Sequence, residues 1–331
     1  MYFGFCYLEI IPYNGGQVEI LLLDEMQKLI LIDGNAVLHR AYHAIPPFTS
    51  PAGDVVNAVY GFASVLLNIL NTEKPQYIAV SFDTPKKTFR HIQYAEYKAT
   101  RKKAPDDLYP QMPKIQELVK TFDIPIFAVD GFEADDVLGT LSLQAEELED
   151  IKTYIFTGDM DILQLITEKT FVMTPTKGLQ APKIYDKAAV YEKYGITPSQ
   201  IIDMKGLQGD NSDNIKGVRG VGPKTTKTLL QKHKNLEGVY EHADEIPGKM
   251  GENIRNEKES AFTSRELATI VRDVPIKLDL EACKSHQFDQ ERVANLFTQL
   301  GFKSLLRRLG NFHNHSEVIK KEEDSSQQTL F

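Results

Sequence analysis

Nine acidic residues in five short clusters are the part of this sequence best suited to chemistry. They are Asp33, Asp83, Glu133, Asp135, Asp136, Asp159, Asp161, Asp210 and Asp213. Several of them directly follow apolar stretches. Carboxylates held within a few ångström of one another raise each other's pKa unless a cation compensates them, and a site built from oxygen ligands favours Mg²⁺. The pattern therefore predicts metal-assisted chemistry.

The acids must be positioned by the elements that precede them, and the apolar pattern predicts those elements. Strands are predicted at residues 28–32, 77–82, 124–129, 153–157 and 170–174, and helices at residues 55–70, 108–122 and 134–148. This alternation is typical of βαβ units and a mostly parallel sheet. In such a sheet the carboxyl ends of the strands face one crevice, so acids placed after several strands converge there.

The pattern becomes mainly helical beyond about residue 184, with helices predicted at 187–194, 198–207 and 223–233. We therefore expect an α/β core over residues 26–190, a helical region over residues 191–310, and a solvated polar tail over residues 311–331. Residues 1–25 do not lead into this pattern. We interpret them as an atypical extension ahead of a natural start at Met26.

Composition excludes several classes of protein. A chain of 331 residues with 42% hydrophobic content is long enough for a sizeable core and about two domains. Cys6 and Cys283 are far apart and lack a Cys/His cluster, which argues against a disulfide framework or a zinc site and favours a reducing cytoplasm. No apolar run approaches the length of a membrane span. The nine acids alone contribute more negative charge than the net charge of −8. The net charge therefore does not exclude a nucleic-acid partner.

Two of the acidic clusters also have simpler explanations. Glu133 and Asp136 lie three residues apart at the start of a predicted helix, where the helix dipole favours acids. Asp159 has the position of an ordinary helix N-cap. The convergence of several clusters on one predicted crevice favours metal ligation over both explanations.

A basic and aromatic segment directly follows Asp83. Its candidate functional residues are Arg90, Tyr94, Tyr97, Lys98, Arg101, Lys102 and Lys103. Positive charges interleaved with aromatic rings suit a single nucleic-acid strand, because the phosphates meet the cations while the bases stack on the rings. The alternative is a solvated basic loop, but the position next to a strand-end acid favours a strand-guiding role.

A glycine-rich turn precedes the last predicted helix. Its candidate DNA-binding residues are Gly217, Gly220, Gly222, Lys224 and Thr225. Pro223 suits the first position of a helix, so the turn would present backbone N–H groups and a helix N-terminus to a phosphate. The alternative is an ordinary turn between helices. The two nearby acids Asp210 and Asp213 favour a grip on a phosphodiester backbone that does not depend on base sequence.

The order of these motifs, over about residues 28–310, resembles the 5′ nuclease domains of bacterial DNA polymerase I in the flap endonuclease family. The motifs that carry the resemblance are Leu-Ile-Asp-Gly-Asn at 31–35, Ser-Phe-Asp at 81–83, Thr-Phe-Arg at 88–90, Tyr-Lys at 97–98, Gly-Phe-Glu-Ala-Asp-Asp at 131–136, Thr-Gly-Asp-Met-Asp at 157–161, Gly-Asp-Asn-Ser-Asp-Asn at 209–214 and Gly-Val-Gly-Pro-Lys-Thr at 220–225.

The resemblance implies a PIN-like α/β core, a helical arch at about residues 84–113, and a helix-hairpin-helix-type (H3TH) region that grips duplex DNA and binds K⁺. It assigns one metal site to Asp33, Asp83, Glu133, Asp135 and Asp136. It assigns the other, or its outer shell, to Asp159, Asp161, Asp210 and Asp213. Lys98 and Arg101 would steer and stabilise the scissile phosphate, with Arg90 as the basic position before them.

The activity implied is that of a structure-specific 5′-3′ exonuclease and 5′-flap endonuclease that uses two Mg²⁺, with Mn²⁺ as an alternative. Its substrates would be branched DNA and RNA–DNA junctions in primer removal and repair. We expect a monomer in the cytoplasm, associated with the nucleoid. The chain stops where polymerase I continues, so we expect a stand-alone nuclease. The final residues Gln327, Leu330 and Phe331 resemble a motif that binds the bacterial sliding clamp.

Two rival functions remain open from the sequence. A non-catalytic protein that binds flap or branched DNA would use the same arch and hairpin, although the loss of acids expected of it is not found. A metal-dependent phosphomonoesterase would use the acids but leaves the hairpin and the basic segment unexplained. Cleavage of a 5′-flap duplex separates these functions.

Overall fold

The computed structural model describes residues 8–12, 18–22, 26–101, 103–176, 181–285 and 287–310. Lys102 and the tail motif of Gln327, Leu330 and Phe331 lie outside the described residues. For residues 8–12 and 18–22 only the backbone is described, as a hairpin of β1 (Leu8–Pro12) and β2 (Val18–Leu22) with antiparallel pairing.

A six-stranded sheet forms the centre of the molecule. Its strands are β3 (Gln27–Asp33), β4 (Tyr77–Ser81), β5 (Ile126–Phe127), β6 (Ile151–Phe156), β7 (Thr170–Thr174) and β8 (Lys183–Tyr185). Their order across the sheet is β5-β4-β3-β6-β7-β8, and every pairing is parallel except that of β7 with β8. The predicted mostly parallel sheet is confirmed.

The central strand β3 separates two hydrophobic cores. Residues 29–32 are at most 1% exposed, as expected for a parallel strand covered on both faces. Because successive side chains of a strand point to opposite faces, Leu29 and Leu31 enter one core while Ile30 and Ile32 enter the other.

Five α-helices lie in the described part of the first half of the chain. They are α1 (Gly34–Ala44), α2 (Asn57–Thr72), α3 (Phe89–Gln93), α4 (Gln111–Thr121) and α5 (Ala134–Glu146). Side chains of α1, α2 and α4 belong to the core of Ile30 and Ile32, whereas α5 belongs to the core of Leu29 and Leu31.

The second half of the chain is helical. Its helices are α6 (Lys187–Tyr194), α7 (Ile201–Gln208), α8 (Pro223–His233), α9 (Leu236–Glu241), α10 (Gly248–Asn256), α11 (Lys258–Ala268) and α12 (Gln290–Gln299). Residues 303–310 are also helical. Helices α7 and α11 pack closely at Gly206, where an added Cβ would lie 2.9 Å from the carbonyl oxygen of Ala261. None of the helices within the described ranges is long and apolar enough to cross a bilayer.

Residues 269–285, named here the return segment, run from α11 back along α5. The backbone N–H of Val274 bonds to Thr140 Oγ1 at 3.1 Å, and that of Leu278 bonds to Gln144 Oε1 at 2.7 Å. At its end the N–H of Ser285 bonds to the carbonyl oxygen of Gln76 at 2.9 Å. Helix α12 then packs against α4, so the predicted helical region 191–310 ends on the α/β core.

Several predicted elements agree with the structure to the residue, namely those at 170–174, 187–194 and 223–233. The strand predicted at 124–129 is shorter, because only Ile126–Phe127 pairs with β4. The helix predicted at 198–207 begins as a 3₁₀ turn at Pro198–Gln200 before α7. The antiparallel strand β8 was not predicted, since its three residues lie where the pattern indicated a change to helix.

Candidate active site

Four of the nine acids follow four adjacent strands at one edge of the sheet. Asp33 is the last residue of β3, Asp83 follows β4, and Asp159 follows β6. Asp135 lies in the first turn of α5, which begins after β5. The sheet order changes direction at β3, which lies between β4 and β6. Such a switch point at the carboxyl edge is where open α/β sheets bind ligands. These four residues are named here the four-acid cluster.

Local hydrogen bonds hold the cluster in place. Asp33 caps α1, because its Oδ1 accepts the N–H of Ala36 at 2.9 Å, and its Oδ2 accepts the hydroxyl of Thr157 at 2.7 Å. Asp83 Oδ1 accepts the N–H of Ala134 at 2.7 Å. This bond joins the end of β4 to the start of the helix that carries Asp135.

Burial and the charges of neighbouring acids raise the pKa of two members of the four-acid cluster. Burial, assisted by the charges of Asp159 and Asp83, raises the pKa of Asp33 to about 6. Burial also raises the pKa of Asp135 well above its usual value, and the charges of Asp33, Asp159, Asp83 and Glu133 raise it further. Across the described part of the chain, no salt bridge joins these four acids to Lys, Arg or His.

The chemistry of this donor set fits a divalent cation. All four ligands are carboxylates, and their mutual repulsion is what a bound cation relieves. Within the described ranges, however, no group of three or more His, Cys, Asp or Glu side chains already converges as a metal-binding set. The carboxylates of Asp33, Asp83 and Asp159 nevertheless act on the charge of Asp135, and the orientation of their oxygens depends on the ion that they hold.

The other five acids are each paired with a cation of the chain, and they are named here the paired acids. Glu133 bonds to Lys98 at 2.7 Å, and Asp213 bonds to Arg101 at 2.5 Å. Asp136 bonds to Arg90, and Lys205 bonds to both Asp161 and Asp210. The structure therefore groups the acids differently from the sequence expectation. Asp159 belongs to the same cluster as Asp33, whereas Asp136 belongs to the paired acids.

Asp136 and Arg90 contradict their expected roles. Asp136 is 0% exposed, and both of its oxygens accept from Arg90 at 2.7 Å. The same oxygens accept the N–H groups of Glu133 and Val271, so Asp136 has no free oxygen for a metal. Arg90 is 2% exposed and also donates to the carbonyl of Leu267 at 2.9 Å, which leaves it unable to contact a phosphate.

Tyr97 contradicts the expectation that its ring stacks on a base. The residue is 4% exposed, and its hydroxyl donates to Glu133 Oε2 at 3.0 Å and to Asp213 Oδ2 at 3.2 Å. Burial, together with the charges of these two acids, raises the pKa of the phenol well above its usual value. Tyr97 therefore joins the arch segment to both acids instead of facing solvent.

The other residues of the arch segment differ in their exposure to solvent and in their bonding partners. Lys98 is half-buried, and its backbone N–H bonds to the carbonyl of Asp213 at 2.9 Å, which brings the segment against the loop after α7. The side chain of Arg101 is 50% exposed beside Asp213. Tyr94 is half-buried, and Lys103 is exposed and pairs with Asp106 at 2.7 Å.

The predicted glycine hairpin joins α7 to α8. Asp210 and Ile215 exchange two backbone hydrogen bonds of 2.8 Å, which close the turn. Gly217 has a φ of +63°, and an added Cβ would lie 2.2 Å from the backbone nitrogen of Gly209, so only glycine fits. Its N–H donates to Ser264 Oγ at 3.0 Å. Gly217 is therefore a packing residue, which contradicts its expected contact with DNA.

The remaining hairpin residues are more exposed than Gly217. Gly220 and Lys224 are exposed, and Gly222 and Thr225 are partly exposed. Pro223 begins α8. The N-terminus of this helix and its lysine therefore face solvent, where a phosphate can reach them.

Two family models match this chain. The 5′-3′ exonuclease N-terminal resolvase-like domain matches residues 28–195, and the 5′-3′ exonuclease C-terminal SAM fold matches residues 196–291. The chain belongs to the 5′-3′ exonuclease family. The resemblance inferred from its motifs is therefore confirmed.

Curated relatives of this 5′-3′ exonuclease family member are much longer proteins. It is 43% identical to DNA polymerase I of Bacillus subtilis (strain 168) over 309 residues, which are 93% of this chain and 35% of the relative. It is 42% identical to DNA polymerase I of Bacillus caldotenax over 284 residues, which are 86% of this chain and 32% of the relative. The chain thus spans about a third of the length of these relatives.

Solved structures share the fold. A T5 5′-exonuclease with bound divalent zinc ions has a TM-score of 0.62 at 21% identity, covering 87% of this chain and 99% of that one. A bacteriophage T5 flap endonuclease in complex with DNA and metal ions has a TM-score of 0.61 at 20% identity, covering 88% and 100%. The catalytic core of Rad2 with a DNA substrate has a TM-score of 0.56 at 17% identity, covering 83% and 89%.

Lys205 is the site residue of this exonuclease family member that the sequence analysis missed. Burial would raise the pKa of Asp210, but hydrogen bonds from Lys205 and Ser212 hold it at about 2. Burial and Asp159 raise the pKa of Asp161 to about 6, although Lys205 opposes this rise. The available signal was that Lys205 is the only basic residue in the helix predicted at 198–207.

Proposed function

We propose that this chain is a metal-dependent 5′ nuclease that hydrolyses phosphodiester bonds at the 5′ ends and flaps of DNA, with RNA–DNA junctions as further substrates. The observation that carries the proposal is the four-acid cluster at the switch point of the sheet, without a protein cation among the described residues to neutralise it. Membership of the 5′-3′ exonuclease family supports the reaction class.

The four-acid cluster would hold a divalent cation, and its all-oxygen donor set favours Mg²⁺ over softer metals, with Mn²⁺ as the alternative. Such cations, when bound, activate water and stabilise the attacking and leaving oxygens of a phosphodiester. The T5 structures contain metal ions, which supports a metal cofactor in this fold. A second cation would use some of the paired acids.

Lys98 and Arg101 would stabilise the reacting phosphate. Both are at present bonded to acids, Lys98 to Glu133 and Arg101 to Asp213, so their charges are held beside the crevice in advance. Cations held close to the crevice can stabilise the negative charge that develops on the phosphoryl oxygens. The half-exposed Arg101 is the better placed of the two to exchange its carboxylate for a phosphate.

The hairpin between α7 and α8 would grip the duplex. Gly220, Gly222, Lys224 and Thr225 would present N–H groups and positive charge to phosphates, and K⁺ would bind at this turn. We propose that the α/β core spans residues 26–190, with the arch at about 84–113, and the DNA-binding helical region residues 191–310. We also propose that the protein is a monomer and that it associates with the nucleoid. Gln327, Leu330 and Phe331 would tether it to the sliding clamp.

Cleavage of a labelled 5′-flap duplex with Mg²⁺ tests the function. We expect Asp135→Asn to lower the rate by at least about 100-fold while flap binding in Ca²⁺ or EDTA is retained. Asp150→Asn is the matched control, because Asp150 is exposed and precedes β6 at the opposite edge of the sheet. Binding by the wild type without Mg²⁺-dependent cleavage would instead identify a flap-binding factor. Release of terminal phosphate alone would identify a phosphomonoesterase.

A further inference from the structure

Lys205 joins two acids that come from different halves of the molecule. Its Nζ lies 2.5 Å from Asp161 Oδ1, in the turn after β6, and it also bonds to Asp210 in the loop after α7. The side chain of Lys205 is 16% exposed, and those of Asp161 and Asp210 are 21% and 11% exposed. Hydrogen bonds between charged groups in such a partly dry site are strong.

The two groups of acids therefore differ in what a metal must displace. At the four-acid cluster a divalent cation would bind carboxylates that repel one another, and it would not have to displace a Lys or Arg side chain. Between Asp161 and Asp210 the same cation competes with Lys205, which already holds one oxygen of each carboxylate, while Ser212 donates to the other oxygen of Asp210. An ammonium group and a divalent ion cannot occupy one position, because they repel each other and both require these oxygens.

We propose that Lys205 is a built-in counter-cation that competes with divalent metal for Asp161 and Asp210. The protein then has two unequal metal sites, a strong one at the four-acid cluster and a weak one that fills only when Lys205 is displaced. This inference rests on the proposed function and deepens it. Lys205 is a positioning residue in the free protein, since it keeps Asp161 and Asp210 together without metal.

Titration of the full chain with Mn²⁺, in the absence of DNA, tests the inference by calorimetry or electron paramagnetic resonance. We expect the wild type to show one strong and one weaker class of site. Lys205→Met should strengthen the weaker class by at least about tenfold, because the competitor is gone, whereas Lys205→Arg should keep it weak. Lys28→Met is the matched control, since Lys28 pairs with Glu73 at 3.1 Å where β3 begins, at the opposite edge of the sheet.

A second measurement uses only the wild type, so it remains informative if Lys205→Met does not fold. Acetylation of wild-type lysines, read by mass spectrometry, should label Lys205 at saturating Mn²⁺ but not at low Mn²⁺, while the labelling of Lys28 stays constant. Unchanged labelling of Lys205, or identical Mn²⁺ isotherms for wild type and a folded Lys205→Met, overturns the role of Lys205 alone. A wild type that binds no divalent cation overturns the proposed function itself, so the two failures are distinguishable.

Discussion

Arg90 and Asp136 form a buried bidentate ion pair in which both hydrogen bonds measure 2.7 Å. Arg90 comes from α3 in the arch segment, and Asp136 from the first turn of α5. Arg90 also donates to the carbonyls of Leu267 and Thr269 at the end of α11. One pair of side chains thus joins the arch, the helix that carries Asp135, and the helical region.

Removal of Arg90 should destabilise the protein strongly. Arg90→Ala leaves the carboxylate of Asp136 buried without its cation, which typically costs about 3–5 kcal/mol. Urea denaturation followed by circular dichroism measures the change. Arg219→Ala is the matched control, because Arg219 pairs with Glu257 but its side chain is 82% exposed, and such pairs contribute about 0–1 kcal/mol. Equal losses in the two variants would contradict the assigned role of Arg90.

The four-acid cluster should cost stability when no metal is bound. We expect Asp135→Asn to raise the free energy of unfolding in EDTA at neutral pH, because it removes a carboxylate that burial and the charges of its neighbours destabilise. The same variant should gain less from added Mg²⁺ than the wild type does. Thermal unfolding with EDTA and with Mg²⁺ measures both effects. A metal-free variant less stable than the wild type would refute the repulsion.

Gly217 should not tolerate alanine. Gly217→Ala combines a positive φ with a Cβ only 2.2 Å from the nitrogen of Gly209, so the hairpin must shift. Gly248→Ala is the matched control, because Gly248 has a φ of +70° but an added Cβ meets nothing within 4 Å. We expect about 1–2 kcal/mol of destabilisation at Gly248 and a clearly larger loss at Gly217, with weaker flap binding. Similar losses of stability at both positions would show that the positive φ, and not the close contact of the added Cβ, causes the destabilisation.

The thiol of Cys283 should be protected in the folded protein. Burial, together with Asp279, raises its pKa to about 12, so the thiolate is scarce at pH 8. In a Cys6→Ser background we expect slow reaction with a thiol reagent until denaturant is added. A fast reaction of the native protein at pH 8 would be inconsistent with this burial.

The same shift predicts a dependence of stability on alkaline pH. A thiol in the unfolded chain ionises near pH 9, whereas the folded thiol stays neutral to about pH 12. The contribution of this group is therefore fully present below pH 9 and falls as pH rises toward 12, because the folded state binds the extra proton. Denaturation curves at pH 8 and pH 10.5 should differ more for wild type than for Cys283→Ala.

The positions of the four-acid cluster could be predicted because they depend on local pattern. Asp33, Asp83 and Asp159 each follow an apolar run that forms a strand, and parallel strands bring their ends to one edge. Strand β5 was harder to predict. Its apolar run extends beyond the two residues that pair with β4, so composition alone overestimates its length.

The partners of the other acids could not be predicted, because they lie far away in sequence. Arg90 and Asp136 are 46 residues apart, and Tyr97 bonds to Asp213 across 116 residues. Both Arg90 and Tyr97 have residue types that suit an exposed nucleic-acid surface. Only the three-dimensional packing reveals that they are buried between elements that the linear pattern keeps separate.

The return segment ties the helical half to the α/β half at a second place. The chain leaves the core after β8, forms helices α6 to α11, and comes back through Val274, Leu278 and Ser285 to deliver α12 onto α4. A single cut in a loop of the helical half therefore leaves both fragments anchored to the same core. Nicked protein should therefore stay associated in native solution and separate into two fragments only on denaturation. The helical half is attached to the α/β core at both of its ends, and not through a single linker.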